Sequence, residues 1–419
     1  MAVTATIPTD LLTPLGAYLR LREGAAASFL LESVEQGRLG RHSFVGAGTR
    51  LVTFEEAEEL VTALRLPVVG YLAYDHVAKL EPTVPLPADG PGLPESLFVV
   101  AETLVRFDHG GGTAEVVAGD PERIRGVLEG ELVVQEHERP SSGSPLRRAP
   151  ERDTYEKGVE RVKELIRAGD AFQVVLSQRA ERETSAGAVE LYRALRRVNP
   201  SPYLFLLELG EVALVGSSPE TLVKCEAGRA SLNPIAGTTE PGEGDAERLL
   251  ASEKDRAEHV MLVDLGRNDL SRVCRPASVR IERFLEPERF SHVTHLVSEV
   301  TGELREGVTP FDLLRACFPA GTVSGAPKVR AMQIVSELEG YRRGPYAGAV
   351  GYVLPPDANS RAAMDTCIAI RTVVLSGGVA RLQAGAGIVA DSDPAAEHEE
   401  CLRKLAALET ALNLAEKGA

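Results

Sequence analysis

The sequence predicts an α+β fold in which large, mostly antiparallel sheets pack against helices. Apolar runs that end in turn residues, as at 203–207, 212–215 and 348–353, are typical of strands in hairpins. Residues 172–177 show a period-two pattern, which also indicates a strand. Apolar residues at helical spacing lie between these runs, so we expect helices to interrupt the sheets.

Residue types at the expected helix ends place several helices. Asp153 and Glu156 form a predicted capping box, and apolar residues recur at helical spacing from there until Gly169. A loop of small residues at 320–326 precedes a helix that we expect to begin near Pro327. Asp393-Pro394 is typical of an N-cap followed by proline at the first helical position.

A segment rich in proline, glycine and serine divides the chain. Residues 135–153 contain this segment and lack apolar periodicity. We therefore expect an N-terminal region at 1–140, a linker at 141–152 and the main domain at 153–419.

Composition and charge exclude several function classes. Of the 419 residues, 44% are apolar and 26% are charged, as in ordinary globular proteins. The net charge of −15 repels phosphates, so neither a nucleic acid nor an anionic membrane is an expected partner. The chain has no signal-like N-terminus and no long apolar run, which predicts a cytoplasmic protein. Its five cysteines include no C-x-x-C pair, so the sequence indicates neither disulfides nor a zinc site.

Two predicted helices each carry a pair of carboxylates one turn apart. Asp255 and Glu258 form one pair, and Glu397 and Glu400 form the other. If the two helices pack together, four carboxylates face one cavity, and acidic groups gather in this way around a cation. A divalent metal that holds an anionic substrate is the first hypothesis. The alternative is that each pair lies on a solvated helix face.

Other candidate residues also have a functional and a structural interpretation. Gly385 and Gly387 either leave backbone N–H groups open to an anion or form a tight hairpin. Arg371 ends a strand-like run, where it either binds a carboxylate or makes a surface ion pair. His295 is a candidate for proton chemistry, but a satisfied, partly buried histidine is the commoner case. From the residues alone, the chain is interpreted as a metal-assisted enzyme for a small carboxylate.

Five segments resemble the chorismate-utilising enzymes, specifically the large component of anthranilate synthase. They are PIAGT at 234–238, EKDRAEHVMLVDLGRNDL at 253–270, FPAGTVSGAPK at 318–328, DTCIAIR at 365–371 and QAGAGIVADSDP at 383–394. The resemblance covers nearly all of 153–412. It implies that family's fold, with a chorismate-binding catalytic domain at 153–419. The implied activity is a lyase reaction of tryptophan biosynthesis, which makes anthranilate and pyruvate from chorismate and ammonia.

The resemblance also implies roles for individual residues. Glu258 and Glu400 would hold Mg²⁺, assisted by Asp255 and Glu397 directly or through water. Glu220 would be the acid for the C4 hydroxyl, with His295 and Thr322 assisting its departure or orienting the ring. The implied substrate contacts are Gly237, Thr238, Tyr346, Arg371, Gly385 and Gly387.

Two positions indicate which family member this is. Relatives that add water have a lysine in place of Gln173, and aminodeoxychorismate synthases often have one in place of Ala236. Ammonia is therefore the expected nucleophile. Two alternatives remain, an aminodeoxychorismate synthase component and a non-catalytic regulator that binds tryptophan.

The N-terminal segment LLES at 30–33 resembles a feedback-inhibitor site. By that resemblance Ser33, Pro202, Tyr203 and Leu204 would surround bound tryptophan, and the alternative is a strand that binds no ligand. No cysteine lies in a Gly-x-Cys-x-Gly elbow, so a separate glutamine amidotransferase subunit is the expected source of ammonia. Residues 239–242 depart from the family's usual Arg-Pro-Arg-Gly, which removes two positive charges beside the pocket.

Overall fold

The computed structural model describes residues 6–35, 38–131, 144–239, 241–289, 294–356 and 361–418. The first strands are β1 (Thr6–Pro8), β2 (Ala27–Glu35), β3 (Arg38–Gly48), β4 (Leu51–Val52), β5 (Val68–Leu72), β6 (Ser96–Val100), β7 (Thr103–Asp108), β8 (Thr113–Ala118), β9 (Arg147–Ala149), β10 (Gln173–Glu183) and β11 (Tyr203–Leu209). The later ones are β12 (Val212–Ser218), β13 (Thr221–Glu226), β14 (Arg229–Leu232), β15 (Ile235–Thr239), β16 (Arg280–Arg289), β17 (Thr294–Glu303), β18 (Gly325–Ala326), β19 (Ala349–Leu354), β20 (Ala363–Ile368), β21 (Thr372–Ser376) and β22 (Val379–Ile388).

The helices are distributed along the whole chain. They are α1 (Pro14–Leu21), α2 (Phe54–Thr62), α3 (Val77–Leu80), α4 (Pro121–Glu129), α5 (Arg152–Arg167), α6 (Ala188–Val198), α7 (Asp245–Ala251), α8 (Glu253–Ser271), α9 (Pro310–Cys317), α10 (Lys328–Glu339) and α11 (Pro394–Glu416). Short 3₁₀ turns occur at Tyr74–His76 and Gly321–Val323. In the described part of the chain, no helix has the length and hydropathy of a membrane-spanning segment.

The strands form two large sheets. The first runs in the order β1-β8-β7-β3-β2-β11-β12-β21-β22-β10-β18, and β9 pairs with β10. The second runs β15-β17-β14-β13-β20-β19-β5-β6-β4, and β16 pairs with β17. Every pairing between described strands is antiparallel, for example Tyr203 opposite Ser33 in β11 and β2. The predicted α+β class with large antiparallel sheets is confirmed.

The two sheets enclose a common core and carry helices on their outer faces. Alternation along β11 shows this arrangement. Leu204 and Leu206 pack with residues of α1, α6 and α11, whereas Phe205 and Leu207 pack with Val69 and other residues of the second sheet. Each of these side chains is 0–1% exposed. A central strand that is buried on both faces is therefore continuously apolar.

Both predicted regions contribute strands to each sheet. In the first sheet β2 pairs with β11, and in the second β5 pairs with β19. Residues 141–143 of the predicted linker lie outside the described residues, and 147–149 form β9 beside β10. The division at 141–152 stays a prediction about chain organisation.

Helix ends agree with the sequence in one case and differ in another. At α11 the side chain of Asp393 accepts a hydrogen bond from the N–H of Ala396, and Pro394 opens the helix. The predicted capping box at Asp153 is wrong, because α5 begins at Arg152 with Glu151 as its N-cap and no side-chain capping bond. Arg152, the first residue of α5, bonds Glu156 one turn later and Glu399 of α11.

Candidate active site

Glu220 lies in the turn between β12 and β13, and backbone hydrogen bonds fix this turn. Its N–H donates to Ser218 Oγ at 3.3 Å, and its carbonyl accepts from Ile368 N at 3.0 Å. Burial raises the pKa of the Glu220 carboxyl to about 7, and the Thr322 hydroxyl and the cations of Lys404 and Arg371 only partly offset this. Such a carboxyl carries its proton near neutral pH, as a general acid must.

Thr322 lies beside this carboxyl in the 3₁₀ turn Gly321–Val323. Its hydroxyl lowers the pKa of Glu220. Thr322 Oγ1 is buried and makes no hydrogen bond of standard geometry within the described part of the chain. A buried hydroxyl of this kind is suited to contact a bound ligand.

His295 contacts the same region from β17 of the second sheet. Its Nδ1 is 2.9 Å from the carbonyl oxygen of Gly237, so that nitrogen carries the proton and donates it. Burial lowers the pKa of His295, the Gly237 bond raises it, and the nearby Arg371 lowers it further. The imidazole is therefore neutral at pH 7, with its other ring nitrogen carrying a lone pair.

Gly237 brings β15 close to the acidic helix α8. Its φ is +72°, and a Cβ at this position would lie 3.2 Å from Asp255 Cβ. Any larger residue here would therefore be strained. The side chain of the neighbouring Thr238 lies outside the described residues, as does Glu240 in the segment that departs from the family.

Arg371 lies between β20 and β21, just beyond the end of the strand where the sequence predicts it. Its φ of +49° is unusual for a non-glycine residue. Its Nη1 is 3.5 Å from Asn199 Oδ1, and its carbonyl accepts from Ser217 N at 3.1 Å. Burial lowers its pKa and Glu220 raises it, so the guanidinium stays charged beside the acid. A strained backbone at this cation is consistent with a binding role.

Gly385 and Gly387 lie inside β22, so they do not form the tight hairpin that was the alternative interpretation. A Cβ on Gly385 would lie 2.8 Å from the Tyr346 hydroxyl, and one on Gly387 would lie 2.6 Å from Gln173 Nε2. These glycines therefore let Tyr346 and Gln173 approach the strand. Gln173 Nε2 donates to Glu258 Oε1 at 3.1 Å, while its Oε1 is buried without a partner in the described structure.

The two acidic helices α8 and α11 carry the four carboxylates that the sequence assigned to a divalent cation. Burial raises the pKa of Glu397, and the charge of Glu400 raises it further. A cation would relieve this repulsion, and carboxylate oxygens are ligands that Mg²⁺ prefers. No three His, Cys, Asp or Glu side chains of the described residues lie close enough together to form a finished metal site. The donor chemistry fits Mg²⁺, and binding of the ion stays a prediction.

Lys404 is a site residue to which the sequence interpretation gave no role. It donates to the carbonyl of Gly385 at 2.7 Å and pairs with Glu400 at 2.8 Å. It also lowers the pKa of Glu220, so it connects the acid, the glycine strand and the acidic helix. Its position one turn after Glu400 on α11 was the signal that could have identified it.

A cavity of about 450 Å³ lies in the seam between the sheets, apart from the candidate active-site residues described above. The four residues predicted to bind an inhibitor all line it, namely Ser33, Pro202, Tyr203 and Leu204. Tyr203 donates to Asp365 Oδ1 at 3.0 Å, and its hydroxyl lies 2.7 Å from that of Thr221. Glu32 also lines the cavity, and its carboxylate accepts a hydrogen bond from the Tyr192 hydroxyl of α6. The cavity can therefore hold a ligand that carries both apolar and hydrogen-bonding groups.

Comparisons with known proteins agree with this arrangement. The family described as chorismate binding enzyme matches residues 15–410. The anthranilate synthase component 1 of Thermus thermophilus is 44% identical over 458 residues, which cover 99% of this chain and 98% of that protein. The probable anthranilate synthase component 1 of Schizosaccharomyces pombe is 44% identical over 460 residues, covering 99% and 93%.

Solved structures show the same fold. The crystal structure of anthranilate synthase component I from Streptococcus pneumoniae has a TM-score of 0.76 and 34% identity, and the match covers 97% of this chain and 99% of that one. The menaquinone-specific isochorismate synthase of Escherichia coli has the same TM-score at 22% identity, with coverage of 98% and 94%.

Proposed function

Since this chain belongs to the chorismate binding enzymes, and among them to the anthranilate synthase component 1 family, we propose that it converts chorismate and ammonia to anthranilate, pyruvate and water. The observation that carries the proposal is the raised pKa of Glu220 beside Thr322, Arg371 and Lys404. This is a protonated acid next to groups that bind anions. The proposed reaction belongs to tryptophan biosynthesis and is a lyase reaction.

The substrate is a dianion, and the site has two groups that would each bind one of its carboxylates. Arg371 and Tyr346, together with the strand of Gly385 and Gly387, would take the enolpyruvyl carboxylate. Glu258 and Glu400 would hold Mg²⁺, with Asp255 and Glu397 assisting. When bound, the ion would supply the positive charge that an acidic protein otherwise lacks for the ring carboxylate.

The protonation states of Glu220 and His295 suit departure of the C4 hydroxyl. Ammonia adds at ring C2, the proton of Glu220 goes to the C4 oxygen, and water leaves. Thr322 and neutral His295 would orient the ring and the leaving hydroxyl. Loss of the enolpyruvyl group as pyruvate, with removal of the C2 proton, then gives the aromatic ring. Burial of Arg371 strengthens its attraction for the carboxylate as charge redistributes.

The choice of ammonia rests on two neutral positions. Gln173 bonds Glu258, and Ala236 is buried in β15, so neither place offers a lysine. The relatives' designation as component 1 implies a second component. We propose that this partner is a glutamine amidotransferase subunit that releases ammonia to the site.

The acid role of Glu220 predicts a pH profile. At a fixed concentration of unprotonated ammonia, kcat/KM for chorismate should fall as pH rises above about 7, because the acid of the free enzyme loses its proton. Thr322→Val should shift this fall in rate to higher pH, since the Thr322 hydroxyl lowers the pKa of Glu220. Initial rates from pH 6 to 9 test both expectations. A profile that is flat in both proteins would contradict the acid assignment.

Feedback by tryptophan is proposed for the 450 Å³ cavity. Ser33→Phe should raise the tryptophan concentration needed for half inhibition at least about tenfold, a loss of about 1.4 kcal/mol of binding free energy, because the ring fills the cavity. The value of kcat without tryptophan should stay within about twofold of the unmodified protein. Calorimetric titration with tryptophan measures binding directly. Undiminished affinity in Ser33→Phe would remove this site as the place of inhibition.

A product assay tests the proposed function. Purified protein with chorismate, Mg²⁺ and ammonium salt should form anthranilate, followed by fluorescence and identified by mass. Aminodeoxychorismate as the product would move the protein to the alternative folate-branch activity. No turnover together with tight tryptophan binding would favour the non-catalytic regulator.

A further inference from the structure

A buried ion pair lies directly behind the candidate site and has no part in the proposed chemistry. Arg343 and Glu339 form two hydrogen bonds, Nη2 to Oε1 at 2.7 Å and Nε to Oε2 at 2.9 Å. The two side chains are only 1% and 8% exposed. Burying a charged pair costs desolvation energy, and apolar residues can often fill such a space without loss of stability. A role other than stability is therefore worth seeking.

Two further guanidinium hydrogens bond the backbone on two sides of the site. Arg343 Nη1 donates to the carbonyl of Val323 at 2.7 Å, and Val323 directly follows Thr322. Arg343 Nη2 also donates to the carbonyl of Val175 at 2.8 Å, and Val175 is paired with Gly387 across β10 and β22. One side chain thus joins the turn that carries Thr322 to the strand opposite Gly387.

Glu339 adds a third connection on the same strand. Its Oε1 accepts from both the backbone N–H and the hydroxyl of Ser177, each at 2.8 Å. Ser177 is paired with Gly385, so the ion pair contacts β10 opposite both glycines of the proposed anion cradle. The guanidinium also lies over the Tyr346 ring, 5.6 Å from its centroid.

The backbone of Arg343 is itself fixed. Its N–H donates to Asp75 Oδ1 at 3.2 Å, and the N–H of Gly344 donates to the other oxygen at 3.0 Å. The ring of Tyr74 lies 4.6 Å from the guanidinium carbon on another side. The ion pair therefore has a fixed position within the fold. A residue pair that sets the distance between two other groups must be fixed in this way.

We propose that Arg343 and Glu339 are positioning residues that set the separation between the acid group, Glu220 with Thr322, and the anion cradle, Tyr346 with Gly385 and Gly387. The proposal rests on the proposed function. Chorismate would bridge these two groups, because its C4 hydroxyl faces the acid and its enolpyruvyl carboxylate faces the cradle. A shift of about 1 Å between them would cost roughly 100-fold in rate. Substrate affinity would change little, because each half of the site stays intact.

A double substitution separates positioning from stability. Arg343→Met combined with Glu339→Leu removes both charges at similar volume, so neither charge is left buried and unpaired. We expect kcat for anthranilate formation to fall about 100-fold, with KM for chorismate within about threefold. The thermal unfolding midpoint reports stability in the same samples. Arg343→Lys, which keeps the charge and loses the fork of hydrogen bonds, should give a smaller fall and serves as the test if the double variant does not fold.

A matched control exists at the far end of the same strand. Arg182 of β10 bonds Glu416 of α11 at 2.9 Å, and the two side chains are 7% and 5% exposed. Arg182→Met with Glu416→Leu makes the same chemical change in a similarly buried pair, whose side chains form hydrogen bonds with each other, with Asn413 and with Thr184. The kcat of this control should stay within about twofold of that of the unmodified protein. This should hold even if its thermal unfolding midpoint falls as much as that of the Arg343 and Glu339 double variant.

Hydrogen exchange provides a readout that is independent of turnover. Amide exchange at 319–326 and 385–388 should be faster in the Arg343 and Glu339 variants than in the control pair. The proposal is overturned if folded Arg343 and Glu339 variants keep kcat within threefold, or if the control loses kcat equally. A rise in KM at constant kcat would also overturn it. If the unmodified protein makes no anthranilate, the proposed function fails, and unchanged exchange in the variants would then show separately that the pair does not position the site.

Discussion

Glu220→Gln is expected to lower kcat roughly a thousandfold while changing KM for chorismate by no more than about threefold. Removal of a general acid typically costs between 10² and 10⁴ in rate. The amide has nearly the same size as the carboxyl group, so the contacts around it and the anion-binding groups should persist. Steady-state kinetics with saturating ammonia measures both parameters.

The same substitution should raise stability at alkaline pH. Glu220 has a pKa of about 7 in the folded protein, whereas an unfolded glutamate has about 4.5. The folded state therefore binds this proton more tightly, and its stability falls as pH rises from about 4.5 to 7. Gln cannot ionise, so it removes a penalty of about 3 kcal/mol above pH 7. Thermal unfolding should give a higher midpoint for Glu220→Gln than for the unmodified protein at pH 8 and a similar one at pH 4.5.

Glu226→Gln is a suitable control for both measurements. Glu226 ends β13, the strand that begins immediately after Glu220, and its side chain is 78% exposed. Neither its kcat nor the pH dependence of its unfolding should change. If Glu220→Gln kept full activity, the C4 hydroxyl would need another proton donor. If it lost activity together with stability at pH 8, the loss would be structural.

Glu258→Gln is expected to abolish Mg²⁺-dependent turnover and to weaken Mg²⁺ binding roughly 100-fold or more. Even changes around metal ligands cost 10- to 100-fold in affinity, so loss of a proposed ligand charge should cost at least as much. The amide can still accept the 3.1 Å hydrogen bond from Gln173, so α8 should keep its place. Titration calorimetry with Mg²⁺ alone measures the affinity without relying on activity.

Glu253→Gln provides the matched change on the same helix. Glu253 begins α8 and is exposed, two residues before Asp255 and five before Glu258. Mg²⁺ affinity and turnover should be unchanged in this variant. The metal assignment would be wrong if Glu258→Gln bound Mg²⁺ as tightly as the unmodified protein or retained full activity. Glu400→Gln should give the same result from the other helix, since it removes the second proposed ligand.

Features that depend on neighbouring residues in the chain could be predicted from the sequence. The start of α11 follows from Asp393 and Pro394, because an N-cap is a local hydrogen bond. The strand-like runs at 203–207 and 212–215 correspond to β11 and β12 for the same reason. The cluster of Glu220 with Arg371 required the family resemblance, because the sequence spacing between them indicates no contact.

Features that depend on distant segments were missed or misplaced. The sequence left open a tight hairpin at Gly385 and Gly387, but these residues lie in a strand that Tyr346 and Gln173 approach closely. The bonds of Arg343 end on backbone carbonyls of Val175 and Val323, and carbonyls carry no side-chain pattern in the sequence. Such partners are visible only once the chain is folded.

The wall of the seam cavity and the acid Glu220 are connected through a short stretch of backbone. This connection matters for the engineering of inhibitor-resistant variants. Tyr203 of the cavity wall contacts the hydroxyl of Thr221, which is joined by a single peptide bond to Glu220. Ser33 reaches the same cavity from β2, which in the described structure pairs with β11 and β3 and not with β12 or β13, the strands on either side of the acid. Under the proposed tryptophan feedback, screens for overproducing strains should therefore recover inhibitor-resistant variants with full activity on the Ser33 wall, while changes at Tyr203 or Thr221 should reduce turnover together with inhibition.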